Sequence, residues 1–256
     1  MRYLKVTLVQ ANQIWEDKEA NFANYERLLK HVETDLIVLP EMFQTGFSMN
    51  TLSLAEDIDS SESLLWLQEF SKKKNAAIYT SLMIKEGEVY RNQGVFIQGD
   101  QKVIRYNKRK TFGLANESAF YAAGDQEVIV DYLGWKLQLQ ICYDLRFPEI
   151  VRNRLLQDHS PAFDVILYVA NWPMKRARHW DALLNARAIE NQCYVVGVNR
   201  VGSDEKGLDY SGGSKLVSAL GETTTLPQEN EGIQTLILNR DELLDVRAKL
   251  PFLKDL

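Results

Sequence analysis

Three apolar runs in this chain each end in a residue that can do chemistry. Leu36-Ile37-Val38-Leu39-Pro40 leads to Glu41, and Leu137-Gln138-Leu139-Gln140-Ile141 leads to Cys142. The run Val165-Ile166-Leu167-Tyr168-Val169-Ala170 leads to Asn171-Trp172. Short apolar runs of this kind read as buried strands. In α/β sheets, ligand sites gather beyond the carboxyl ends of strands, and a strand exit holds a side chain more firmly than a loop does. The three exits therefore predict one shared site.

The chemistry would be nucleophilic. A thiol attacks a carbonyl as its thiolate, which is a small fraction at neutral pH unless a base or a cation assists. His31, His159 and His179 lie in stretches without a catalytic context, which leaves a carboxylate base with a lysine. Glu41 and the basic run at 105–110 offer both. Each residue also has a plainer reading. A free cysteine is commonly a small buried hydrophobe, a glutamate after a strand usually faces water, and a basic run makes a solvated loop or phosphate patch. Spacing does not choose Lys108 over Lys110.

The elements that must position these residues alternate along the chain. Periodicity predicts a strand over 5–10 and a helix over 18–32, carrying Phe22, Tyr25, Leu28, Leu29 and Val32 at spacings of three and four. A strand at 36–39 follows. Asp59 with Glu62 reads as a capping box ahead of a helix over 64–73. A β-rich middle comes next, with strands at 76–83 and 89–91, and at 95–98 and 103–106 across Gly99-Asp100. Strands at 128–132 and 136–141 pair around Leu133-Gly134. Helices are predicted over 148–157 and 180–191, with strands at 165–170 and 193–199. Strands at 215–218, 222–225 and 235–238, then a short helix at 241–247, complete the chain. No repeat, low-complexity stretch or linker interrupts it, so one layered α/β domain spanning 1–256 is expected, with sheets covered by helices.

Composition narrows the class. Of 256 residues, 45% are hydrophobic and 25% charged, as in ordinary globular chains. The formal charge of −5 gives no general case for nucleic acid. The start, MRYLKVTLVQAN, lacks an apolar core or cleavage site, so no signal peptide is expected, and no run is long enough to span a membrane. Two cysteines make no disulfide framework, and three scattered histidines argue against a metal site. A cytoplasmic protein without cofactor is the expectation. No G-x-S-x-G, Walker loop or dinucleotide fingerprint occurs, and Ser211-Gly212-Gly213-Ser214 lacks a strand–turn–helix context.

Several stretches together resemble the nitrilase superfamily of carbon–nitrogen hydrolases, and within it the omega-amidase-like branch. They are LIVLPEMF at 36–43, YNKRKTF at 106–112, ANE at 115–117, CYDLRFPE at 142–149, YVANWP at 168–173, HWDALLNARAIENQCYV at 179–195 and NRVGSD at 199–204. They occur in order over nearly the whole chain. The resemblance implies a four-layer α-β-β-α sandwich of the nitrilase type, with Glu41 as base, Lys108 as the catalytic lysine, Cys142 as nucleophile and Glu117 supporting the lysine. Lys108 and the backbone N–H of Tyr143 would form the oxyanion hole. Where many relatives have Lys-Arg-His-Leu-Phe, this chain has Lys108-Arg109-Lys110-Thr111-Phe112, which keeps the lysine and alters the expected pocket wall near Thr111.

The implied substrates are omega-amides of 2-oxo dicarboxylic acids, such as 2-oxoglutaramate and 2-oxosuccinamate. Arg146 would bind a substrate carboxylate, or else pair structurally with Asp144 or Glu149. Trp172 and Phe43 would be apolar walls or plain core. N-carbamoyl compounds or nitriles are the alternative substrates, and a non-catalytic binding protein on the same scaffold is the reading from outside enzymology. The resemblance further implies a homodimer, with the tail from about 247 reaching the partner.

Overall fold

Strands that are apolar on both faces need cover on both sides. In the computed structural model, which describes residues 1–98 and 103–255, that cover has two different sources. Leu36 and Val38 face a core between two sheets, while Ile37 and Leu39 face helices outside. Likewise Val165, Leu167 and Val169 point into the inter-sheet core, and Ile166, Tyr168 and Ala170 point outward. The two-residue period of a strand thus sorts one apolar run into two hydrophobic layers.

The first sheet runs in the order Gly232–Asn239, Tyr3–Gln10, Leu36–Val38, Ala77–Glu86, Val89–Ile97, Val103–Asn107, with Glu56–Asp57 also paired to Ala77–Glu86. The second runs Thr223–Thr225, Lys215–Val217, Tyr194–Asn199, Val165–Ala170, Trp135–Ile141, Ile129–Tyr132. Helices Lys18–Leu28 and Glu62–Lys74 cover the first sheet through Phe22, Tyr25, Leu64, Leu67 and Phe70. Helix Ala177–Asn191 covers the second through Trp180, Leu184 and Ala188. The result is the expected α-β-β-α sandwich. The middle strands of each sheet are parallel, so within a sheet their exits share one edge. No helix among the described residues is long and apolar enough to cross a membrane.

Several local expectations give way. The helix expected over 148–157 is only the 3-10 turn Pro148–Ile150 followed by irregular chain. Asn153, fully buried, donates to the carbonyls of Phe163 and Asn191 and holds this stretch against the sheet instead. The expected strands at 89–91 and 95–98 are one strand, Val89–Ile97, whose polar middle is buried rather than a break. The cap of helix Glu62–Lys74 is Ser61, whose hydroxyl accepts from Leu64 N, not the Asp59–Glu62 box. A hairpin unforeseen in the sequence, Val201–Ser203 with Asp209–Ser211, stands apart from both sheets. The turn expected at Gly99-Asp100 lies outside the described residues.

Helix Arg240–Lys249 is tied to its own chain. Arg247 pairs with Asp164 at 2.8 Å and donates to the carbonyls of Gln192 and Phe163.

The outer helix of the second sheet sits close because of Gly197. A Cβ there would lie 2.6 Å from Leu184 Cδ1 and 2.9 Å from Trp180 Cζ2, both buried side chains. Gly197→Val should therefore destabilise the protein by about 1–3 kcal/mol through overpacking. A urea-unfolding midpoint equal to that of the parent would contradict this packing.

Candidate active site

The exits of the two sheets converge. Glu41 follows the strand Leu36–Val38 of one sheet, and Cys142 and Asn171 follow Trp135–Ile141 and Val165–Ala170 of the other. Asn171 bridges them directly. Its backbone N–H donates to Glu41 Oε2 at 2.9 Å, and its side-chain amide donates to the Glu41 carbonyl at 2.6 Å. Cys142 Sγ lies 3.9 Å from the Asn171 carbonyl oxygen, and its thiol can donate to the Glu41 carboxylate.

Lys108, just past the strand Val103–Asn107, brings its ammonium between two carboxylates. Nζ lies 3.0 Å from Glu41 Oε1 and 2.9 and 3.0 Å from the two oxygens of Glu117. The lysine side chain is 2% exposed and both carboxylates are 0% exposed, so water does not screen these contacts. Burial pulls the lysine towards its neutral form, but the charges of Glu117 and Glu41 outweigh it and hold Lys108 protonated. Glu117 is fixed in turn by the Phe112 N–H. Lys110 faces away and pairs with Glu149, which decides between the two lysines.

The turns carrying Glu41 and Cys142 are unusual. Met42 has φ +45° and Cys142 φ +43°, a left-handed conformation that costs a side-chain-bearing residue roughly 1–2 kcal/mol. Such strain persists only where surrounding contacts over-determine it. Around Met42 they do. Its N–H donates to Ser81 Oγ, and the Gln13 amide donates to the carbonyls of Glu41 and Met42. At Cys142 the buried carboxylate of Asp144 accepts from Ile141 N, Lys110 N and the Tyr106 hydroxyl. Asp144 thus ties the cysteine turn to the segment that carries Lys108. Burial pushes the Asp144 carboxyl up to about 6, against the opposing charge of Lys108 and these hydrogen bonds.

Burial also pushes the Cys142 thiol well above its ordinary value. The Glu41 charge adds to this and Lys108 opposes it, so the resting group is a neutral thiol. Cys193, the other cysteine, is buried behind the second sheet in the core under helix Ala177–Asn191.

A cavity opens over Cys142. Lys108, Cys142 and Asn171 form its floor, and Phe47, Phe112, Tyr143 and Trp172 its aromatic walls. Arg146 stands over the Trp172 ring at 4.6 Å and reaches the cavity. It does not form the structural pair considered from sequence: Asp144 is engaged as above, and Glu149 pairs with Lys110. Phe43 is not a pocket wall. It packs against Phe22, Tyr25 and Trp66 in the core under the outer helices, because Glu41 and Phe43 point to opposite sides of the turn. Phe47 takes the wall position instead, its ring 5.0 Å from Lys108 Nζ.

Asn92 is the site residue that sequence reasoning missed. Its amide donates to Glu41 Oε1 at 2.7 Å and reaches Glu117 Oε1 at 3.4 Å. The polar run Arg91-Asn92-Gln93 inside the strand Val89–Ile97 is the available signal, and it falls where the sequence reading ends one strand at 91 and begins the next at 95. The hairpin residues Asp204, Lys206, Leu208 and Tyr210, which line the outer cavity, were missed with the hairpin itself.

The chain matches the carbon-nitrogen hydrolase family model over residues 5–248. It is 40% identical to the omega-amidase YafV of Yersinia enterocolitica, over 100% of this chain and 97% of that protein. It is 31% identical to the 2-oxoglutaramate amidase of Bacillus subtilis, over 93% and 90% of the two chains. In three dimensions it is similar to XC1258 of Xanthomonas campestris, a CN-hydrolase superfamily protein solved with an arsenic adduct in its active site. That match has a TM-score of 0.96 at 37% identity and covers 100% of this chain and 97% of the other. This chain belongs to the carbon–nitrogen hydrolase family.

Proposed function

We propose that this protein is an omega-amidase, releasing ammonia from the terminal amide of a small 2-oxo dicarboxylic acid through a thioester on Cys142. One observation carries the reading above the others: a partly buried thiol, a carboxylate and an ammonium converge on the floor of a cavity whose wall presents an arginine with no carboxylate partner among the described residues. The names of the relatives at 40% and 31% identity support the same substrate class.

The steps follow from the geometry. Glu41, the carboxylate facing the thiol, takes the Cys142 proton as sulfur attacks the amide carbon. The negative charge that develops on the amide oxygen is held by the Lys108 ammonium and the backbone N–H of Tyr143. Each such donor supplies roughly 3 kcal/mol of transition-state stabilisation. Glu41 then gives its proton to the departing nitrogen, the carbon–nitrogen bond breaks, and ammonia leaves a thioester. Water enters, Glu41 removes its proton, and collapse of the second tetrahedral species breaks the carbon–sulfur bond. The acid departs as Cys142 recovers its proton.

The Glu117 carboxylate, 2.9 and 3.0 Å from Lys108 Nζ, keeps the ammonium in place throughout. Asn92 and the Asn171 N–H hold the Glu41 carboxylate at fixed angle. The Arg146 guanidinium is placed to take the substrate carboxylate. We further propose that the protein works as a homodimer in the cytoplasm, with the segment beyond Arg247 meeting the partner. Phe252, 57% exposed, is the apolar group available there.

Cys142→Ala and Glu41→Gln should each lower ammonia release at least about 10³-fold while the fold persists, as loss of a nucleophile or its base does elsewhere. Retention of substantial turnover by a folded Cys142→Ala would end the proposal. Because the thiol is raised rather than lowered, thiolate is scarce below its shifted pKa and appears only above it. Absorbance at 240 nm should therefore show no Cys142 thiolate between about pH 6 and 8, around or below the ordinary cysteine range. A thiolate signal at neutral pH, absent in Cys142→Ala, would instead mean a pre-formed ion pair. Arg146→Ala should raise KM about 10- to 100-fold for acidic omega-amides, the loss expected of a charged hydrogen-bonded contact. An equal loss on neutral amides would remove its role in carboxylate binding.

A further inference from the structure

Arg146 is not the only arginine in the cavity. Arg176, at the end of the 3-10 turn Met174–Arg176, lines the same space, its guanidinium 5.3 Å from the centre of the Phe112 ring. Among the described residues neither arginine has a carboxylate within ion-pair distance. The one acidic side chain that reaches the cavity lining, Asp204, is committed elsewhere. It accepts from the backbone N–H groups of Lys206 and Leu208 and from the Tyr210 hydroxyl. Two like charges therefore share a partly desolvated space, neither with a carboxylate at ion-pair distance among the described residues, and each disfavours the other. Burial first, and the Arg176 charge with it, pull against the Arg146 cation. An arrangement of this kind is relieved by an anion.

The hydrogen bonds around Arg146 say how such an anion would be shared. Arg146 Nη2 lies 3.2 Å from His179 Nδ1, and because a guanidinium only donates, Nδ1 is the acceptor of this bond. Part of the Arg146 fork is thus already used. The backbone of Arg176 is anchored beside it, its carbonyl accepting from Trp172 Nε1 at 2.8 Å, and Trp172 is the ring on which Arg146 stacks. Trp172 thus couples the positions of the two arginines.

We propose that Arg176 is a second specificity-determining residue, binding together with Arg146 the single carboxylate of the substrate at the end remote from the scissile amide. His179 is a positioning residue that holds Arg146 in this arrangement. The assignment rests on the omega-amide reading of the site. It adds that the cavity selects for an anion through two cations rather than one, with Phe112 and Trp172 as the surfaces that orient them.

The test compares 2-oxoglutaramate with its carboxylate ester, which carries the same amide without the charge. The preference for acid over ester in kcat/KM should fall about tenfold in Arg176→Ala, through KM, and recover in part in Arg176→Lys, which keeps the charge. In Arg146→Ala/Arg176→Ala the loss of preference should be smaller than the product of the single losses, because the two residues share one ligand group. His179→Ala should lower the preference through KM without altering kcat for the ester. A second measurement does not depend on turnover: protection of Cys142 from iodoacetamide by 2-oxoglutarate, expected in the parent and weakened about tenfold in Arg176→Ala. If the acid-to-ester preference and the protection are both unchanged in Arg176→Ala, the two-arginine assignment is wrong while the omega-amidase reading stands. If the parent releases no ammonia from either compound yet protection depends on Arg176, the anion site stands and the substrate reading falls.

Discussion

An ammonium buried between two carboxylates is the constraint around which this molecule is arranged. Moving any of the three charges out of water costs several kcal/mol, and the cost is recovered only if every charge finds partners at close range. Lys108 finds them in Glu41 and Glu117, and those carboxylates draw further donors from Asn92, the Asn171 backbone and the Phe112 backbone. Loss of Lys108 would leave two buried carboxylates uncompensated, a penalty of about 3–5 kcal/mol in comparable cases. The triad therefore dictates the placement of strand exits from both sheets and of the segment that carries Glu117.

The same electrostatics set the chemistry. With two carboxylates against one ammonium, the floor of the cavity is net negative, and burial first, with the Glu41 charge added, keeps the nearby thiol protonated. In the proposed reaction the thiol is thus released as a nucleophile only when a proton can move to Glu41 and charge can develop next to Lys108. Further out the sign reverses, with Arg146, Arg176 and Lys206 around the aromatic walls. A ligand that carries its charge at one end and its amide at the other matches this polarity. Hydrolysis turns the amide end into a second carboxylate facing Glu41, which repels it and favours departure of the product.

Backbone strain is concentrated where the reaction is placed. The left-handed residues Met42 and Cys142 follow two strand ends; Gln13 and Ser81, remote in sequence, hold the first, and Asp144, two residues on and itself fixed by Tyr106, holds the second. Rigid parallel strands on either side of a common core make such turns tolerable, because the strands cannot shift to relieve them. The price of that rigidity is visible at Gly197, where no side chain fits.

The sequence by itself determined the layers and the reacting groups. Fully apolar strands require cover on both faces, and residues at their exits must meet if the sheets stack, so Glu41, Cys142 and Asn171 were legible as neighbours. The ordered motifs extended this to Lys108 and Glu117. Tertiary structure decided what depends on direction rather than order. Asn92 looks like an interruption because its amide finds its acceptors in Glu41, 51 residues away in the chain, and Glu117. Phe43 and Phe47 are both aromatic and near Glu41, and only the turn at Met42 sends one to the core and the other to the cavity. The helix expected over 148–157 yielded to hydrogen bonds from Asn153 to distant backbone. Arg176 is conspicuous only because no carboxylate among the described residues lies within ion-pair distance of it, since pairing of a charge is a property of the folded neighbourhood. Cys142 stands at the boundary between the two: its place was written in the strand before it, and its protonation was decided by charges brought from elsewhere.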